Sequence, residues 1–296
     1  MIITKLTGGL GNQMFQYALG RALSIKNNTN LLLDISELGQ NDELIGDFIK
    51  RGFRLELFNI NAEIASKNEL EKFKLGINNT IKLHLAVLGV KDLNIYYKQI
   101  TRLYDKRLHS LKANIYLDGV WPTYKNFKSI RNTLLKEFTL KEAPNNINSR
   151  MLEQIKNSNS VALHIRRTDY IFKKSASQHF IHLDNGYYSK AIEIIKEMVK
   201  NPIFYIFSDD IDWVKNEMQF STTDIIYCDI NDHDHGYEDM RLLQNCKYFI
   251  IANSTFSWWG AWLSEYKDKI VIAPKQWFQN EVKNPIDINL NEWIVL

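Results

Sequence analysis

SVALHIRRTDY, residues 160–170, sets the reading of the fold. Its first six residues are a short β-rich apolar run, as expected of a buried strand. Its last five form a charged loop that opens where the strand stops. Downstream, apolar residues recur at Ala191, Ile192, Ile195, Met198 and Val199 after Tyr188, the spacing of one helical face, and Asn201–Pro202 closes that helix. IFYIF, residues 203–207, is the next strand and stops at Ser208-Asp209-Asp210. Asp210 and Asp212 supply early-turn acid for a helix to about Met218. A strand at 225–228, a helix at 238–246 and a strand at 248–252 continue the alternation. Asn253-Ser254-Thr255 opens a helix whose stripe, Trp258, Trp259, Trp262, Leu263 and Tyr266, has core spacing, and a strand at 270–273 ends the series. Strands alternating with helices predict βαβ units on a parallel sheet.

The N-terminal half starts the same way. A strand at 2–6 leads into the glycine turn at Gly8, Gly9 and Gly11, a helix with Met14, Ala18, Ala22 and Ile25 in register, and a strand at 31–34. Between 40 and 117 the periodicity blurs, and mostly helices are expected. YYKQITRLYDKRLHSLK, residues 96–112, reads as a solvated basic helix face. The stretch 142–160, with Pro144 and several Asn and Ser residues, marks a boundary between an α/β domain at 1–150 and another at 151–296. No internal repeat is evident.

Composition narrows the function. The chain has 296 residues, the length of about two domains, and it is 45% hydrophobic, too apolar for intrinsic disorder. A net charge of +3 from 37 basic and 34 acidic residues argues against a dedicated nucleic-acid binder. Its two cysteines, Cys228 and Cys246, make no disulfide framework and point to a reducing compartment. The sequence has no apolar run of about 18 residues that could span a membrane, and MIITKLTGGLGNQMF has no apolar signal region. A cytoplasmic protein is expected.

In open α/β sheets, ligands bind beyond the carboxyl ends of the strands. Loops in that position carry the chemistry. Gly8–Gln13 (GGLGNQ) is a glycine turn before a helix, which lets backbone N–H groups approach a phosphate; the plain alternative is a tight βα turn. It matches neither the dinucleotide fingerprint, since Met14 stands where a third glycine would be, nor a P-loop. Arg166 and Arg167, directly after a buried strand, are costly to place unless an anion meets them, and guanidinium binds phosphate bidentately. For Arg167 an outward ion pair with Asp169 is the structural alternative. Asp209 and Asp210 offer acceptors for ribose hydroxyls or a base edge. Ser254, Thr255 and Ser257 at a helix start make a second phosphate cradle, or simply an N-cap. Asp232-His233-Asp234-His235 has metal-ligand residue types, but four consecutive side chains do not all converge on one ion.

Taken together, GGLGNQMFQYA (8–18), HIRRTDY (164–170), FSDD (207–210) and IIANSTFSWWGAWL (250–263) resemble glycosyltransferase family 11, the α-1,2-fucosyltransferases, in its bacterial form. The resemblance covers nearly the whole chain. It implies a GT-B architecture, two Rossmann-like domains with parallel sheets facing a cleft. It also implies GDP-fucose as donor, inversion at the sugar, no metal or other cofactor, and a terminal β-galactoside as acceptor. That acceptor would belong to a surface polysaccharide built on a lipid carrier, with peripheral association at the inner membrane. The catalytic set it implies is Arg166 on the diphosphate, His164 orienting it, and Asp169 bracing the loop or touching donor, as Arg167 would. Asp209 and Asp210 would lie by the nucleoside, and Asp239 is similar to the acid that reads guanine. Ser254, Thr255, Phe256 and Ser257 would wrap the diphosphate and fucose, with Gly9, Gly11, Asn12 and Gln13 facing them. The chain departs from the family's pattern at Thr168 and at Gly119-Val120-Trp121-Pro122. Asp169, His179, His182 and Asp184 are candidates for the general base, and the residues alone do not choose among them. Another nucleotide sugar, or a non-catalytic nucleotide- or glycan-binding protein, are the competing readings.

Overall fold

A computed structural model of the chain describes residues 1–45, 48–73, 79–88, 93–112, 114–167, 180–279 and 287–296. The backbone divides into two compact units, Met1–Lys141 with Pro285–Ile288, and Glu142–Asn284 with Asn289–Leu296. Each is built on its own parallel sheet, as the alternating pattern predicts.

The first unit has a five-stranded sheet in the order β5-β2-β1-β7-β6, comprising β1 (Ile2–Lys5), β2 (Leu31–Asp34), β5 (Glu63–Ile64), β6 (Asn94–Lys98) and β7 (Asn114–Asp118). β3 (Glu43–Ile45) and β4 (Phe48–Lys50) pair separately as an antiparallel hairpin. Helix α1 (Leu10–Lys26) crosses from β1 to β2, and Met14, Phe15, Tyr17, Ala18, Leu19, Ala22 and Leu23 on it are buried. Short helices α2 (Lys67–Glu71), α3 (Asn79–Val87) and α4 (Arg131–Glu137) complete the unit. The expectation of mostly helices over 40–117 is corrected here. Among the described residues that region holds five strands, which are two to five residues long. Strands this short carry too few alternations to register against helical spacing. The basic stretch at 96–112 is likewise strand β6 followed by a 3₁₀ turn at Lys106–Ser110, not a helix face.

The second unit has six parallel strands in the order β10-β9-β8-β11-β12-β13. These are β8 (Asn159–Ile165), β9 (Pro202–Ser208), β10 (Ile225–Tyr227), β11 (Tyr248–Ile250), β12 (Val271–Ala273) and β13 (Ile294–Val295). Between them run α5 (Asn146–Asn157), α6 (Asn185–Met198), α7 (Ile211–Glu217), α8 (Gly236–Gln244) and α9 (Thr255–Leu263). The helices α6 to α9 lie within a few residues of their sequence readings because they carry local start and stop signals, whereas the sequence reading gives α5 no bounds and has no strand at β13. Asn201 takes φ 47° before Pro202, and Asp210 caps α7 by accepting from the Trp213 N–H. β8 is central, buried along almost its whole length and paired on both edges. The chain leaves β8 toward β9 and β10, then crosses back to β11 on the other side. The strand order therefore reverses between β8 and β11, where an open sheet leaves a crevice for ligand.

The tryptophans of α9 are core, as their spacing predicts. Trp258 and Trp259 are fully buried, and Trp259 meets Trp258 and Trp262 edge-on at 5.2 Å. On the same helix Gly260 lets α9 press against α8: a Cβ there would lie 2.0 Å from Leu243 Cδ2, and Leu243 is itself fully buried. Gly260→Ala is therefore expected to lower the unfolding free energy by about 1–3 kcal/mol in urea titration. Gly236→Ala, whose Cβ meets nothing within 4 Å in the first turn of α8, should instead raise it by about 0.4–1 kcal/mol.

Candidate active site

Strand β8 carries His164 and Arg166 to the carboxyl edge of the second sheet, and the loop after β9 meets them there. Arg166 Nη1 lies 3.0 Å from Asp209 Oδ2. The other oxygen of the same carboxylate accepts the Arg167 backbone N–H at 2.8 Å. Arg167 Nε donates to Asp210 Oδ2 at 3.0 Å, and its guanidinium lies 3.6 Å from the centroid of the Trp213 ring. The two loops are thus bolted together by adjacent arginines on one and adjacent aspartates on the other. Asp209 and Asp210, expected beside a nucleoside, are engaged in holding the arginines. Arg167 pairs with Asp210. Asp169 and His179 lie outside the described residues.

His164 is 5% exposed, and its Nδ1 has no hydrogen-bond partner among the described residues. Burial pushes its pKa down to about 4; Asp209 opposes the shift and Arg166 reinforces it. At neutral pH the ring is uncharged, one nitrogen donating and the other accepting. Across the strand-order reversal its ring meets that of Phe256 at 5.7 Å, which ties the β8 loop to the start of α9. Its backbone carbonyl accepts from the Tyr188 hydroxyl at 3.3 Å.

At the start of α9, Ser254 is the N-cap, its Oγ accepting the Phe256 N–H at 3.3 Å. Ser257 is fully buried and donates back to the Ser254 carbonyl at 3.4 Å. Two of the expected cradle hydroxyls therefore shape the helix start, while Thr255 and Phe256 are partly exposed beside them. Asn253, 2% exposed, anchors the turn by donating to the carbonyls of Ile181 and Trp277 at 2.8 and 3.1 Å.

Asp239 lies on α8, where its Oδ1 accepts from Asn231 Nδ2 at 2.8 Å. Burial pushes its pKa up to about 7, against the Asn231 hydrogen bond, with Glu238 and Asp232 adding to the rise. Asp232 itself caps the turn at His233–His235 and contacts His235 Nδ1 at 2.6 Å. Among the described residues, no group of three or more His, Cys, Asp or Glu side chains could hold a metal. Of the base candidates, Asp184 caps α6 by accepting the Tyr187 N–H, and His182 is exposed.

In the first unit the glycine turn after β1 is built from within. Gly8 has φ +74°, a region that favours glycine, and a Cβ there would sit 2.6 Å from Asn12 Nδ2. Gly9 is the N-cap of α1, its carbonyl accepting the N–H groups of Asn12 and Gln13, and Gly11 is buried. Gln13 is fully buried: its amide donates to the Gly8 and Gly52 carbonyls at 2.9 Å and accepts the Arg54 N–H at 3.1 Å. Its side chain braces the turn. After β7, Trp121 takes φ 49°, which is strained for a bulky residue before proline. Gln99 Oε1 holds that backbone by accepting the N–H groups of Val120 and Trp121 at 2.8 and 3.3 Å.

The sequence profile of Glycosyl transferase family 11 matches residues 58–296. The chain belongs to this family. An Alpha-1,2-colitosyltransferase of Escherichia coli is 36% identical over 303 residues, covering 99% of this chain and 98% of its own length. O-antigen biosynthesis glycosyltransferase WbnK of Escherichia coli is 33% identical over 311 residues, covering 98% and 99%. Galactoside 2-alpha-L-fucosyltransferase SEC1 of Bos taurus is 27% identical over 153 residues, covering 50% of this chain and 42% of its own. No helix among the described residues is long and apolar enough to cross a membrane.

Trp213, Asn148 and Asn231 were not singled out in the sequence. Trp213 had a signal, because it follows the capping Asp210 by three residues and so shares that helix start with the loop. The asparagines had none, being far apart in the chain. Removing the shared counter-ion tests the bolted geometry. Asp209→Ala leaves Arg166 without this carboxylate and unties the Arg167 backbone. Discounted for partial exposure, the expected loss is about 1–3 kcal/mol of stability in urea unfolding.

Proposed function

We propose that this family 11 glycosyltransferase moves fucose from GDP-fucose to the 2-hydroxyl of a terminal β-galactoside, with inversion and without a metal ion, in the synthesis of a bacterial surface glycan. The observation that carries this reading is Arg166, a guanidinium fixed beside a neutral buried histidine where the strand order reverses.

Transfer requires the bond from the anomeric carbon to GDP to break while an acceptor hydroxyl arrives on the opposite face. The departing diphosphate gains negative charge. An arginine already oriented by Asp209 stabilises that charge without reorganising, and the first-turn N–H groups of α9 add the positive end of a helix. Neutral His164 contributes a hydrogen bond rather than a competing charge. The guanidinium supplies the positive charge that a divalent cation supplies in metal-dependent transferases. Asp239 reads the nucleobase, and acceptor recognition falls to the first unit.

A second donor has a specific observation in its favour, the colitosyltransferase that matches along nearly the whole chain. Colitose is fucose without its 3-hydroxyl, so the same diphosphate chemistry serves both sugars. Assays with GDP-fucose and GDP-colitose against β-galactosides, with linkage read by NMR of the product, decide between them. Fucose joined to the galactose 2-hydroxyl is the expected product; transfer of colitose alone would assign the second donor.

Arg166→Ala should abolish transfer, and Arg166→Lys should lower kcat by about 10²–10³, because a point charge does not reproduce a two-pronged contact. A lysine variant with most of the original turnover would remove Arg166 from this role. Turnover should also persist in EDTA; activity lost there and restored by Mn²⁺ would overturn the metal-free mechanism.

A further inference from the structure

The carboxylate of Asp239 is approached by an unusual partner. Asn148 Nδ2 donates to Asn231 Oδ1 at 2.8 Å, and Asn231 Nδ2 donates back to Asn148 Oδ1 at 3.0 Å, closing a reciprocal amide pair. The second hydrogen on Asn231 Nδ2 goes to Asp239 Oδ1 at 2.8 Å. Asn148 Nδ2 also donates to Asn145 Oδ1 at 3.2 Å, and Asn145 is the N-cap of α5. Asn148 is fully buried. Turning over the Asn231 amide would set oxygen against the Asp239 carboxylate and nitrogen against nitrogen at Asn148, so its orientation is determined from two sides. The helix start of α5 is thereby rigidly connected to one oxygen of an acid on α8.

We propose that Asn148 and Asn231 are positioning residues that hold the Asp239 carboxylate in the plane and rotamer needed to accept the N1–H and 2-amino donors of guanine, and so set the nucleobase selectivity of the donor site. This rests on Asp239 being the nucleobase-reading acid. A carboxylate can accept two parallel donors only when its plane is fixed and it is ionised. An amide pair fixes the plane with no net charge of its own, and toward Asp239 the Asn231 amide acts as a donor, which favours the ionised carboxylate. GDP offers both donors, inosine diphosphate lacks the 2-amino group, and ADP lacks both.

The electrostatics agree with this geometry. The charged and titratable groups facing Asp239 are Glu238, which pairs with Arg241 at 2.9 Å, Asp232, which meets His235, and the Cys228 thiol, itself pushed well up by burial. With Asp239 raised to about 7, guanine binding should strengthen as pH rises through neutrality. The Asn231 hydrogen bond lowers that value, so removing it moves the midpoint to higher pH.

Calorimetric titration of the full chain with GDP, inosine diphosphate and ADP across neutral pH tests the proposal. Asn231→Ala is expected to weaken GDP about fivefold, shrink the GDP-to-inosine diphosphate ratio, and shift the pH midpoint upward. Asn148→Ser, which leaves Asn231 in place but unaligned, should shift the ratio in the same direction by less, and it supplies the reading should the first variant fail to fold. A merely structural stitch would weaken all three nucleotides alike. Retention of the original ratio and midpoint in both variants, with Asp239→Asn abolishing the preference, would overturn the positioning role alone. Retention of the preference in Asp239→Asn would instead overturn the assignment of Asp239 to the nucleobase.

Discussion

A guanidinium at the end of a buried strand is the constraint around which the second unit is arranged. Arg166 leaves β8 where both neighbouring strands have covered it, and a full positive charge there needs a partner. Asp209 supplies one and pins the next backbone N–H with its other oxygen. The adjacent pair repeats the device, Arg167 reaching Asp210 and stacking on Trp213. Two βα loops from neighbouring strands thereby become one rigid edge. An anion arriving at that edge meets positive charge already in place, which separates stabilising a leaving group from merely attracting one.

Charge is distributed sparingly around this edge. His164 sits two residues before Arg166, and burial keeps it neutral, so the histidine adds no further positive charge beside the arginines. Asp239 is lifted into the neutral range by the same kind of burial and by two acidic neighbours. One desolvated environment thus acts oppositely on a base and an acid, each time disfavouring the charged form. For the histidine that is compatible with orienting a ligand. For the aspartate it makes the ionised form dependent on the Asn231 amide aimed at it.

The sequence made the second unit legible because each element there carries local punctuation. Pro202 starts β9, Asp210 caps α7, Ser254 caps α9, and the strands are near-continuous apolar runs. The first unit beyond β2 has caps, such as Ser66 before α2, but they mark short helices and not its strands. β5 has two residues, and β3 and β4 have three each, so tertiary pairing rather than local pattern decides their state. For the candidate site, residue type singled out Arg166 and His164, but their partners remained hidden. The arginine partners of Asp209 and Asp210 were not legible because a carboxylate beside a loop reads the same whether it meets a ribose or an arginine. The amide pair of Asn148 and Asn231 joins residues 83 positions apart, a contact that no spacing rule contains.

Both units rely on neutral amides to fasten the loops at their carboxyl edges. Gln13 ties the glycine turn to Gly52 and Arg54, Gln16 joins Thr7 to Gly119, and Gln99 restrains the strained backbone at Trp121. In the second unit Asn253 secures the α9 turn, and Asn231 secures Asp239. A carboxamide donates and accepts together, so one side chain can join two backbone groups of opposite polarity. These fastenings add no net charge to either edge, so in the second unit the charged groups beside them are the arginine–aspartate pairs.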